Sequence, residues 1–580
     1  MSAAAGASRA RALRVAIVGL GPKGMFAVER LLDHASGLDG GARIEVDAFE
    51  PHPVAGAGPV YDPDQPSYLR MNFAADAVDM WWPSSCVVPR DERLSFVAWR
   101  EAQGSDGDGG SYPPRALVGR YLADGLATIV RHAPPNTRIR ARSSRVQALA
   151  LVPGGGGWRV IGRAGSDGPY DEVLIATGHE RSWDRGLAAG WTHAAALVPS
   201  VFPVGRWLSP ELTGVRTTIA IRGFALSFID AALALTEGRG DCFEARDHPY
   251  RLRYRPSDRD AGVILPFSRT GRPMLAKPDP ALAAAVPELP AIAEAGRKRI
   301  LRLADGCDVQ HDLLAILSTT AQSSLLAAGG GAGTDVAASA AAWLAGAVGG
   351  RPQPAGCSPA DELERSLAVG AGLHLPDLQW ALGHTWRALY PALVCRFGAG
   401  GLAERQWPAF RRLAAEMERV AFGPPACNAA KLLALIEAGR IDLTHVRGAR
   451  LRTQGSRTAL RSEQGEHGID VVIDAVLPGP GARGLDSELL AGLVDDGHAR
   501  VLPGRRGLDV DADGGCRDTD GCTTPGLSAI GRPTEDAVIG NDTLSRTLHP
   551  LADLWARRVV SRCHEKAVTS RVGEPYEHVP

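Results

Sequence analysis

Residues 14–50 read RVAIVGLGPKGMFAVERLLDHASGLDGGARIEVDAFE. The apolar run Val15–Val18 is typical of a short buried strand, and a helical spacing of apolar residues extends to Leu32. A second strand is predicted at Ile44–Phe49, and Glu50 follows it directly. A carboxylate at this position accepts hydrogen bonds from ribose hydroxyls and repels a 2′-phosphate. The stretch therefore predicts a strand–turn–helix–strand unit that binds the adenosine ribose of FAD or NAD.

The turn inside this unit has the spacing of a dinucleotide-binding loop. Gly19 permits a tight turn, Gly21 allows the backbone to approach a pyrophosphate, and Gly24 allows the helix to pack closely on the strand. Unpaired N–H groups at the helix N-terminus are available to the phosphates. Pro22 and Lys23 complete the loop, and we expect all five residues to contact the cofactor.

Composition excludes several classes of protein. The chain has 580 residues, of which 45% are apolar and 22% are charged, and its formal net charge is −1. The interspersed charges predict neither a nucleic-acid surface nor a polybasic membrane patch. No apolar run approaches the roughly 20 residues of a membrane span, and we find no hydrophobic signal-peptide core. The nine cysteines form no CxxC pair, so we expect reduced thiols, no bound metal and a cytoplasmic location.

A second, looser dinucleotide turn is predicted near the middle of the chain. Residues 220–235 read AIRGFALSFIDAALAL, in which the strand Thr217–Arg222 leads through Gly223 to the helix Ser227–Leu235. The spacing of the glycine loop is kept, but Ala225 and Ser227 replace the later glycines. Small side chains still allow a fairly close backbone approach. The alternative is a strand–turn–helix repeat that binds no nucleotide.

Cationic residues follow the next predicted strand of this unit. Residues 263–278 read VILPFSRTGRPMLAKP, where Val263–Phe267 is the strand and Ser268, Arg269 and Arg272 come after it. Arginines at the end of such a strand suit a 2′-phosphate and therefore predict NADPH. The alternative is that these arginines are only solvated.

Two further segments are predicted to join the nucleotide sites. The strand Val173–Ile175 ends in Ala-Thr177-Gly178, a short exit turn between the two units. Near the carboxyl end, a strand at Leu527–Ile530 and a helix that begins with Thr547–Ala556 are typical of a last flavin-contacting element. The residues expected to contact the flavin there are Gly531, Asn541, Asp542 and Thr543.

These observations predict an α/β fold with two Rossmann-like dinucleotide-binding domains, for FAD and NADPH, and a mostly helical insertion. We expect the first part of the FAD domain at 12–180, the NAD(P) domain at 212–280, the insertion at 281–460 and the completion of the FAD domain at 466–562. Asn428 and Lys431 lie at the start of the last strong helix of the insertion, where they would hold a substrate carboxylate. A solvated helix start is the alternative for both.

The chain resembles the FAD-NAD(P)-binding family that includes L-aspartate N-monooxygenases of the nitrosuccinate-forming type. The segments that carry the resemblance are VAIVGLGPKG, GPVYDPDQPSYLRMNFAADAVDMW, PPRALVGRYL, IATGHE, GFALSFIDAAL, SRTGRPMLAKP, VAFGPPACNAAKLLALIEAG and IGRPTEDAVIGNDTLSR. Many flavoproteins have an Asp after the glycine equivalent to Gly531, whereas Arg532 stands here. Asn541, Asp542 and Thr543 are therefore the expected substitutes.

The resemblance also implies roles for residues in the first domain. Met71 and Asn72 would lie beside the flavin ring, and His179 would line the nicotinamide cleft. Arg70 and Arg120 would contact the cofactors. A structural histidine is the alternative for His179.

The implied reaction is flavin monooxygenation. NADPH reduces FAD, dioxygen forms a C4a-hydroperoxide on the flavin, and the nitrogen of a small amine or amino acid attacks its distal oxygen. L-aspartate is the substrate that the resemblance favours, and a homodimer is compatible with it. A flavin-dependent oxidoreductase with a different substrate, an electron-transfer reductase and a non-catalytic flavin sensor are the alternatives. A disulfide reductase would need paired cysteines after the first loop, and the sequence has none there.

Overall fold

A computed structural model describes residues 12–38, 41–104, 111–180, 182–331, 335–350, 358–398 and 401–572. None of the helices in these ranges combines the length and apolar character that a bilayer crossing requires.

The amino-terminal half alternates strands and helices. Up to residue 175 the elements are β1 (Leu13–Val18), α1 (Pro22–Ala35), β2 (Ile44–Phe49), α2 (Phe96–Ala102), α3 (Arg115–Arg131), β3 (Thr137–Arg142), β4 (Val146–Leu151), β5 (Trp158–Gly162), β6 (Gly165–Tyr170) and β7 (Glu172–Ile175). They are followed by β8 (Ala196–Val198), α4 (Val204–Trp207), α5 (Pro210–Thr213), β9 (Thr217–Arg222), α6 (Leu226–Leu235), β10 (Cys242–Ala245), β11 (Leu252–Arg255) and β12 (Gly262–Phe267).

The remainder is first helical and then mixed. The helices are α7 (Pro280–Ala284), α8 (Leu289–Leu301), α9 (Leu314–Ala327), α10 (Val336–Val348), α11 (Pro359–Gly370), α12 (Leu378–Phe397), α13 (Trp407–Ala421) and α14 (Ala426–Glu437). The last elements are β13 (Arg450–Gln454), β14 (Arg457–Ser462), β15 (Gly465–Ile469), β16 (Val471–Asp474), α15 (Glu488–Asp495), β17 (Gly515–Arg517), β18 (Thr523–Ala529) and α16 (Leu551–Val572).

The first sheet has six strands in the order β17-β18-β7-β1-β2-β3. All neighbouring pairs are parallel except β17 and β18. One face packs against α1 and α16, with Trp555 fully buried between them and the sheet. The other face packs against α15 and the β4–β6 sheet around Trp158. Because both faces are covered, the central strands are almost wholly apolar, as their sequences predict.

The second sheet has four parallel strands in the order β12-β9-β16-β8. The helices α6 and α14 cover one of its faces, and the three-stranded β13–β15 sheet covers the other. This unit repeats the β1–α1–β2 arrangement of the first in β9–α6–β12. The predicted α/β fold with two such units and a helical region is confirmed.

The helical region has its own apolar core, built around α9, α12 and α13 with Trp386 and Phe410 at its centre. It contacts the segment after β18, which belongs to the first unit. A Cβ added at Gly540 of that segment would lie only 3.0 Å from the Tyr390 hydroxyl of α12. The amphipathic spacing that predicts these helices therefore also accounts for their common apolar core.

Three details differ from the sequence-based boundaries. The helical stretch ends at Glu437, and the last predicted part of the insertion forms β13 and β14. The strand β16, within the predicted FAD-domain completion, pairs with β9 and belongs to the second sheet. The last helix begins at Leu551 rather than Thr547. Pairing between distant segments decides the first two points, and local spacing carries no information about it.

Candidate active site

The predicted dinucleotide turn connects β1 to α1 in the geometry that its glycines require. Gly19 has a φ of +99°, and a Cβ there would lie 2.6 Å from the carbonyl oxygen of Ala176. A Cβ at Gly24 would lie 2.0 Å from the carbonyl oxygen of Gly19, so the first turn of α1 packs directly on the loop. At Gly21, in contrast, a Cβ would meet no atom within 4 Å. The space beside Gly21 is thus open to a pyrophosphate, which would face the N-terminus of α1 at Pro22.

Glu50 is held in place by the backbone at the end of β2. Its side chain is buried, and its two carboxylate oxygens accept hydrogen bonds from Leu20 N at 2.8 Å and His52 N at 2.9 Å. An ionised carboxylate has about four acceptor sites, so each oxygen keeps capacity for a ribose hydroxyl. These two hydrogen bonds therefore hold the Glu50 carboxylate in a fixed orientation, as its predicted role of binding a ribose requires.

The turn after β7 lies against the first loop. The Thr177 hydroxyl is buried and has no hydrogen-bond partner among the described residues. An unsatisfied buried hydroxyl is costly, and a polar ligand group beside Gly19 would satisfy it. A Cβ at Gly178 would meet nothing within 4 Å, so this turn also leaves space for a ligand.

The closing segment after β18 packs against the same loop. Gly531 has a φ of +75°, and a Cβ there would lie 3.0 Å from Lys23 Cγ. Arg532, which replaces the expected aspartate, pairs through Nη1 with Asp542 Oδ2 at 3.3 Å. The exposed carboxylate of Asp542 interacts electrostatically with Lys23, and its contact with the flavin stays a prediction.

Asn541 and Thr543 instead stabilise the closing segment itself. The buried Asn541 amide donates through Nδ2 to Thr534 Oγ1 at 2.6 Å, and the Thr543 hydroxyl donates to Gly540 O at 3.1 Å. Their role toward the flavin stays a prediction, and the structure gives each a role in shaping the loop.

We infer a cleft between these segments from the titratable groups that they carry. Burial among protein atoms lowers the pKa of Lys23 to about 8 and of His179 to about 3, and it raises the pKa of Glu418 to about 7 and of Glu535 to about 8. All four side chains nevertheless keep contact with solvent. Both properties together are those of groups that face an internal cleft. Asp542 interacts electrostatically with Lys23, Glu418 and Glu535, so these three side chains and Asp542 lie close to one another.

Arg70, Met71 and Asn72 run along the edge between the first unit and the helical region. Arg70 Nη1 donates to Tyr112 O at 3.1 Å, and Met71 is buried with its backbone N–H on Pro113 O at 2.8 Å. Asn72 Nδ2 donates to the carbonyl of Phe422 at 3.4 Å, at the end of α13. Asn72 therefore bridges the helical region and the segment of residues 70–72, which we call the flavin-side loop after its predicted role.

Arg120 lies elsewhere on α3. Its side chain is exposed and forms no hydrogen bond or ion pair with another described residue. Its predicted contact with a cofactor stays a prediction.

The second turn reproduces the first. Gly223 has a φ of +112° and donates its N–H to Phe267 O at 2.9 Å, just as Gly19 donates to Phe49 O at 2.9 Å. Ala225 is the N-cap of α6 and is exposed, and Ser227 lies in the first turn of the same helix. The loop keeps its dinucleotide-type backbone despite the loss of two glycines, because alanine and serine adopt the extended and helical conformations found there.

The cations after β12 divide into two kinds. Arg272 is engaged by Glu362 at 2.9 Å and Glu416 at 2.6 Å, and the Ser268 hydroxyl accepts a hydrogen bond from Gly271 N at 3.0 Å. Arg269 is exposed and has no ion-pair partner within the described ranges. Arg269 therefore remains the candidate for the predicted 2′-phosphate contact, while Arg272 is held by the helical region.

Replacing Arg269 with alanine is expected to raise the KM for NADPH by roughly 10- to 100-fold, the value of a hydrogen bond to a charged group. The KM for NADH is expected to stay unchanged, because NADH lacks the 2′-phosphate. Steady-state kinetics with both nucleotides checks this, with the exposed Arg163→Ala as the matched control. An equal loss for NADH and NADPH would contradict the assignment.

The two predicted substrate residues on α14 have partners inside the protein. Asn428 is buried, and its Nδ2 donates to Tyr68 O at 3.1 Å. Lys431 Nζ pairs with Glu237 Oε2 at 2.6 Å. In this arrangement both side chains attach α14 to neighbouring segments, and their predicted substrate contacts remain untested.

Residues 16–180 match a family model described as FAD-NAD(P)-binding. The matched range begins in β1 and ends after the turn of Thr177 and Gly178, so it contains the complete first loop. Residues 16–180 form an FAD-NAD(P)-binding domain. Three features of this domain fit a dinucleotide ligand: the open space at Gly21, the oriented carboxylate of Glu50 and the unpartnered hydroxyl of Thr177.

The chain is similar to two curated proteins of named activity. An L-aspartate N-monooxygenase (nitrosuccinate-forming) from Streptomyces cremeus is 32% identical over 280 residues, which are 43% of this chain and 40% of that protein. Nitrosuccinic acid synthase npaA from Aspergillus oryzae is 31% identical over 286 residues, 48% of this chain and 43% of that protein. The chain thus matches about two fifths of the length of these relatives. Among solved structures, an L-lysine 6-monooxygenase from Pseudomonas syringae is 13% identical, with 96% and 99% of the two chains covered and a TM-score of 0.48.

Sequence reasoning missed four charged residues at or near the cleft of the FAD-NAD(P)-binding domain: Lys277, Arg387, Glu418 and Glu535. Arg387 and Glu418 lie on α12 and α13, whose apolar spacing indicates only core packing. The one available signal was a charge inside an apolar run, as in the stretch WRALYPAL around Arg387. A lysine or arginine in such a run is rarely buried without a reason.

Proposed function

We propose that this protein is an FAD- and NADPH-dependent monooxygenase that oxygenates the nitrogen of a small amine or amino acid, with L-aspartate as the favoured substrate and nitrosuccinate as its product. The observation that carries the proposal is the first dinucleotide loop, which leaves open space at Gly21 beside the oriented Glu50 and the unpartnered Thr177 hydroxyl. The activities for which the two relatives are named support the choice of reaction and substrate.

The first loop and β2 would hold FAD. Backbone N–H groups at the start of α1 would bind its pyrophosphate, and Glu50 would accept hydrogen bonds from its ribose. The Thr177 hydroxyl would gain the partner that it lacks within the described chain. When bound, the flavin supplies the hydride acceptance and dioxygen activation that protein side chains do not provide.

The second turn would hold NADPH. The loop at Gly223 and Ala225 would receive its pyrophosphate, and Arg269 would bind the 2′-phosphate. His179 has a pKa of about 3 because of burial and nearby arginines, so its imidazole is neutral near pH 7. A neutral imidazole can orient the nicotinamide amide by hydrogen bonding, but it cannot act as a general acid there.

The helical region would exclude water and handle protons. Tyr390 lies against the closing segment, and Phe422 accepts a hydrogen bond from Asn72, so α12 and α13 close one side of the cleft. Oxygen transfer needs an unprotonated amine. Burial raises the pKa of Glu418 to about 7 and that of Glu535 to about 8, so either carboxylate would be suited to take up the ammonium proton.

The first test is aerobic NADPH oxidation by the FAD-loaded protein with and without L-aspartate. We expect L-aspartate to stimulate oxidation severalfold, with little hydrogen peroxide released and nitrosuccinate formed. Stimulation without nitrogen oxygenation would indicate a flavin-dependent oxidoreductase instead. No stimulation by L-aspartate or by a panel of amines would contradict the proposal and favour an electron-transfer reductase or a flavin sensor.

A further inference from the structure

Lys277 is a buried lysine at the junction of the helical region and the flavin-side loop. It follows β12, its side chain is 7% exposed, and its backbone N–H donates to Pro424 O at 2.8 Å. Its Nζ donates to the backbone carbonyl of Asn72, the residue predicted to lie beside the flavin. The rings of Phe422 and Tyr112 lie 5.5 Å and 5.9 Å from Nζ. The ammonium is thus held in an aromatic recess that opens toward Asn72.

Arg387 of α12 is the second cation of this recess. Its Nη1 donates to Ala421 O at 2.9 Å, and it interacts electrostatically with both Lys277 and Tyr112. A guanidinium has five donors, so most of them remain for another acceptor. Two cations therefore share one confined space.

No carboxylate of the described residues forms an ion pair with Lys277 or Arg387. Other partly buried cations of the helical region do have such partners: Arg272 pairs with two glutamates, and Lys431 pairs with Glu237. A buried cation such as Lys277 destabilises the fold when it has no counter-charge, and the half-buried Arg387 beside it adds repulsion. Such an arrangement is explained when an anionic ligand supplies the missing charges.

The recess adjoins the proposed cofactor cleft through a chain of contacts. Asn72 contacts Lys277 through its carbonyl and Phe422 through its amide. The Phe422 ring lies 5.6 Å from that of Tyr390, whose hydroxyl is next to the closing segment at Gly540. An anion bound by the two cations would therefore sit on the helical side of the same cleft.

We propose that Lys277 and Arg387 form the carboxylate-binding subsite of this cleft and hold the carboxylates of a dicarboxylic amino-acid substrate. This inference rests on the proposed function and adds to it the residues that select the substrate. An ammonium and a planar guanidinium that can bind a carboxylate in bidentate fashion fit a ligand with two carboxylates, whereas a simple alkylamine would meet only repulsion.

The titratable groups around the pair are Asp377, His384, Tyr112 and Cys427. Asp377 lines the same pocket as Arg387, where it caps α12 and accepts a hydrogen bond from Trp380 N at 2.9 Å. Burial lowers the pKa of His384 to about 4, raises that of Tyr112 to about 12 and raises that of the Cys427 thiol, so all three are neutral. Asp76 and Asp279 act on Tyr112, and Arg70 and Lys431 act on Cys427, rather than on the pair. Burial and Arg387 lower the pKa of Lys277 to about 7, so its charge, and with it anion binding, is lost as the pH rises above about 7.

Calorimetric titration of the full-length, FAD-loaded protein with succinate and with L-aspartate tests the proposal. Succinate carries both carboxylates and no amine, so it reports on the subsite without turnover. We expect Lys277→Met and Arg387→Met each to weaken both ligands on the order of 100-fold. FAD content and NADPH affinity are expected to stay at wild-type values. The exposed Lys298→Met on α8 is the matched control.

The pH dependence of wild-type binding provides a measurement that needs no variant. We expect succinate affinity to fall by up to about tenfold for each pH unit above 7, and this dependence to disappear in Lys277→Met. Unchanged affinity in either variant, or no dicarboxylate binding by the wild type, would overturn the proposal. If succinate binds through Lys277 but L-aspartate does not stimulate NADPH oxidation, the subsite stands and the proposed reaction fails. If L-aspartate stimulates oxidation with an unchanged KM in both variants, the reaction stands and the subsite fails.

Discussion

Gly21→Val is expected to abolish FAD retention while the apoprotein remains folded. The φ of Gly21 is −75°, which any residue adopts, and a Cβ there would meet no protein atom within 4 Å. The substitution therefore fits the apoprotein, apart from an N-cap effect of at most about 1 kcal/mol. The valine side chain would occupy the space where a pyrophosphate must approach the backbone. Flavin absorbance of the purified protein and circular dichroism of the apoprotein measure the two properties separately.

Two further substitutions give this experiment its controls. Gly24→Ala places a Cβ 2.0 Å from the carbonyl oxygen of Gly19, so it is expected to destabilise the whole β1–α1 unit and not only FAD binding. Gly190→Val adds the same side chain at a position with no atom within 4 Å, far along the chain from the loop. It is expected to keep both the fold and the flavin. Stoichiometric FAD in Gly21→Val would exclude the first loop as the pyrophosphate site.

Much of the fold follows from local sequence. The boundaries Ile44–Phe49 and Thr217–Arg222 are the same in the prediction and in the structure, because buried parallel strands are continuous apolar runs with glycine turns after them. The positions of Gly19 and Gly223 were predictable for the same reason, since each turn needs a positive φ directly after its strand.

Long-range contacts limit what the sequence predicts about the site. Arg269 and Arg272 are three positions apart and chemically alike, yet only the structure shows that glutamates on α11 and α13 engage Arg272. Lys277 lies in a stretch already associated with the second nucleotide site, but its partners Asn72 and Phe422 are 205 and about 145 residues away along the chain. The absence of a counter-charge within the described chain becomes visible only when all neighbours are known.

Lys277→Met is expected to stabilise the ligand-free protein at pH 6 while it weakens substrate binding. The folded state lowers the pKa of Lys277 from 10.5 to about 7, mainly through burial and then through Arg387. One pKa unit corresponds to about 1.4 kcal/mol, so the buried charge destabilises the folded state by at most about 5 kcal/mol. Loss of the hydrogen bond to Asn72 and of the aromatic contacts offsets part of the gain. A net increase of about 2 kcal/mol in the free energy of unfolding is the expected result.

The pH dependence of this effect has a defined direction. Below about pH 7 Lys277 is charged in both the folded and unfolded states, so the destabilisation of the wild type is fully present. Between about pH 7 and 10.5 the folded protein has released the proton and the unfolded chain has not, so wild-type stability rises with pH. The difference between Lys277→Met and wild type should therefore be largest at pH 6 and shrink toward pH 10 in denaturation of the apoprotein, with Lys298→Met unchanged throughout. A purely structural lysine would give the opposite result, with Lys277→Met less stable at pH 6. If the charge of Lys277 serves to bind a ligand, Lys277→Met should gain stability and lose dicarboxylate binding. The reason is that the binding energy offsets the destabilisation of the wild type only when the anion is present.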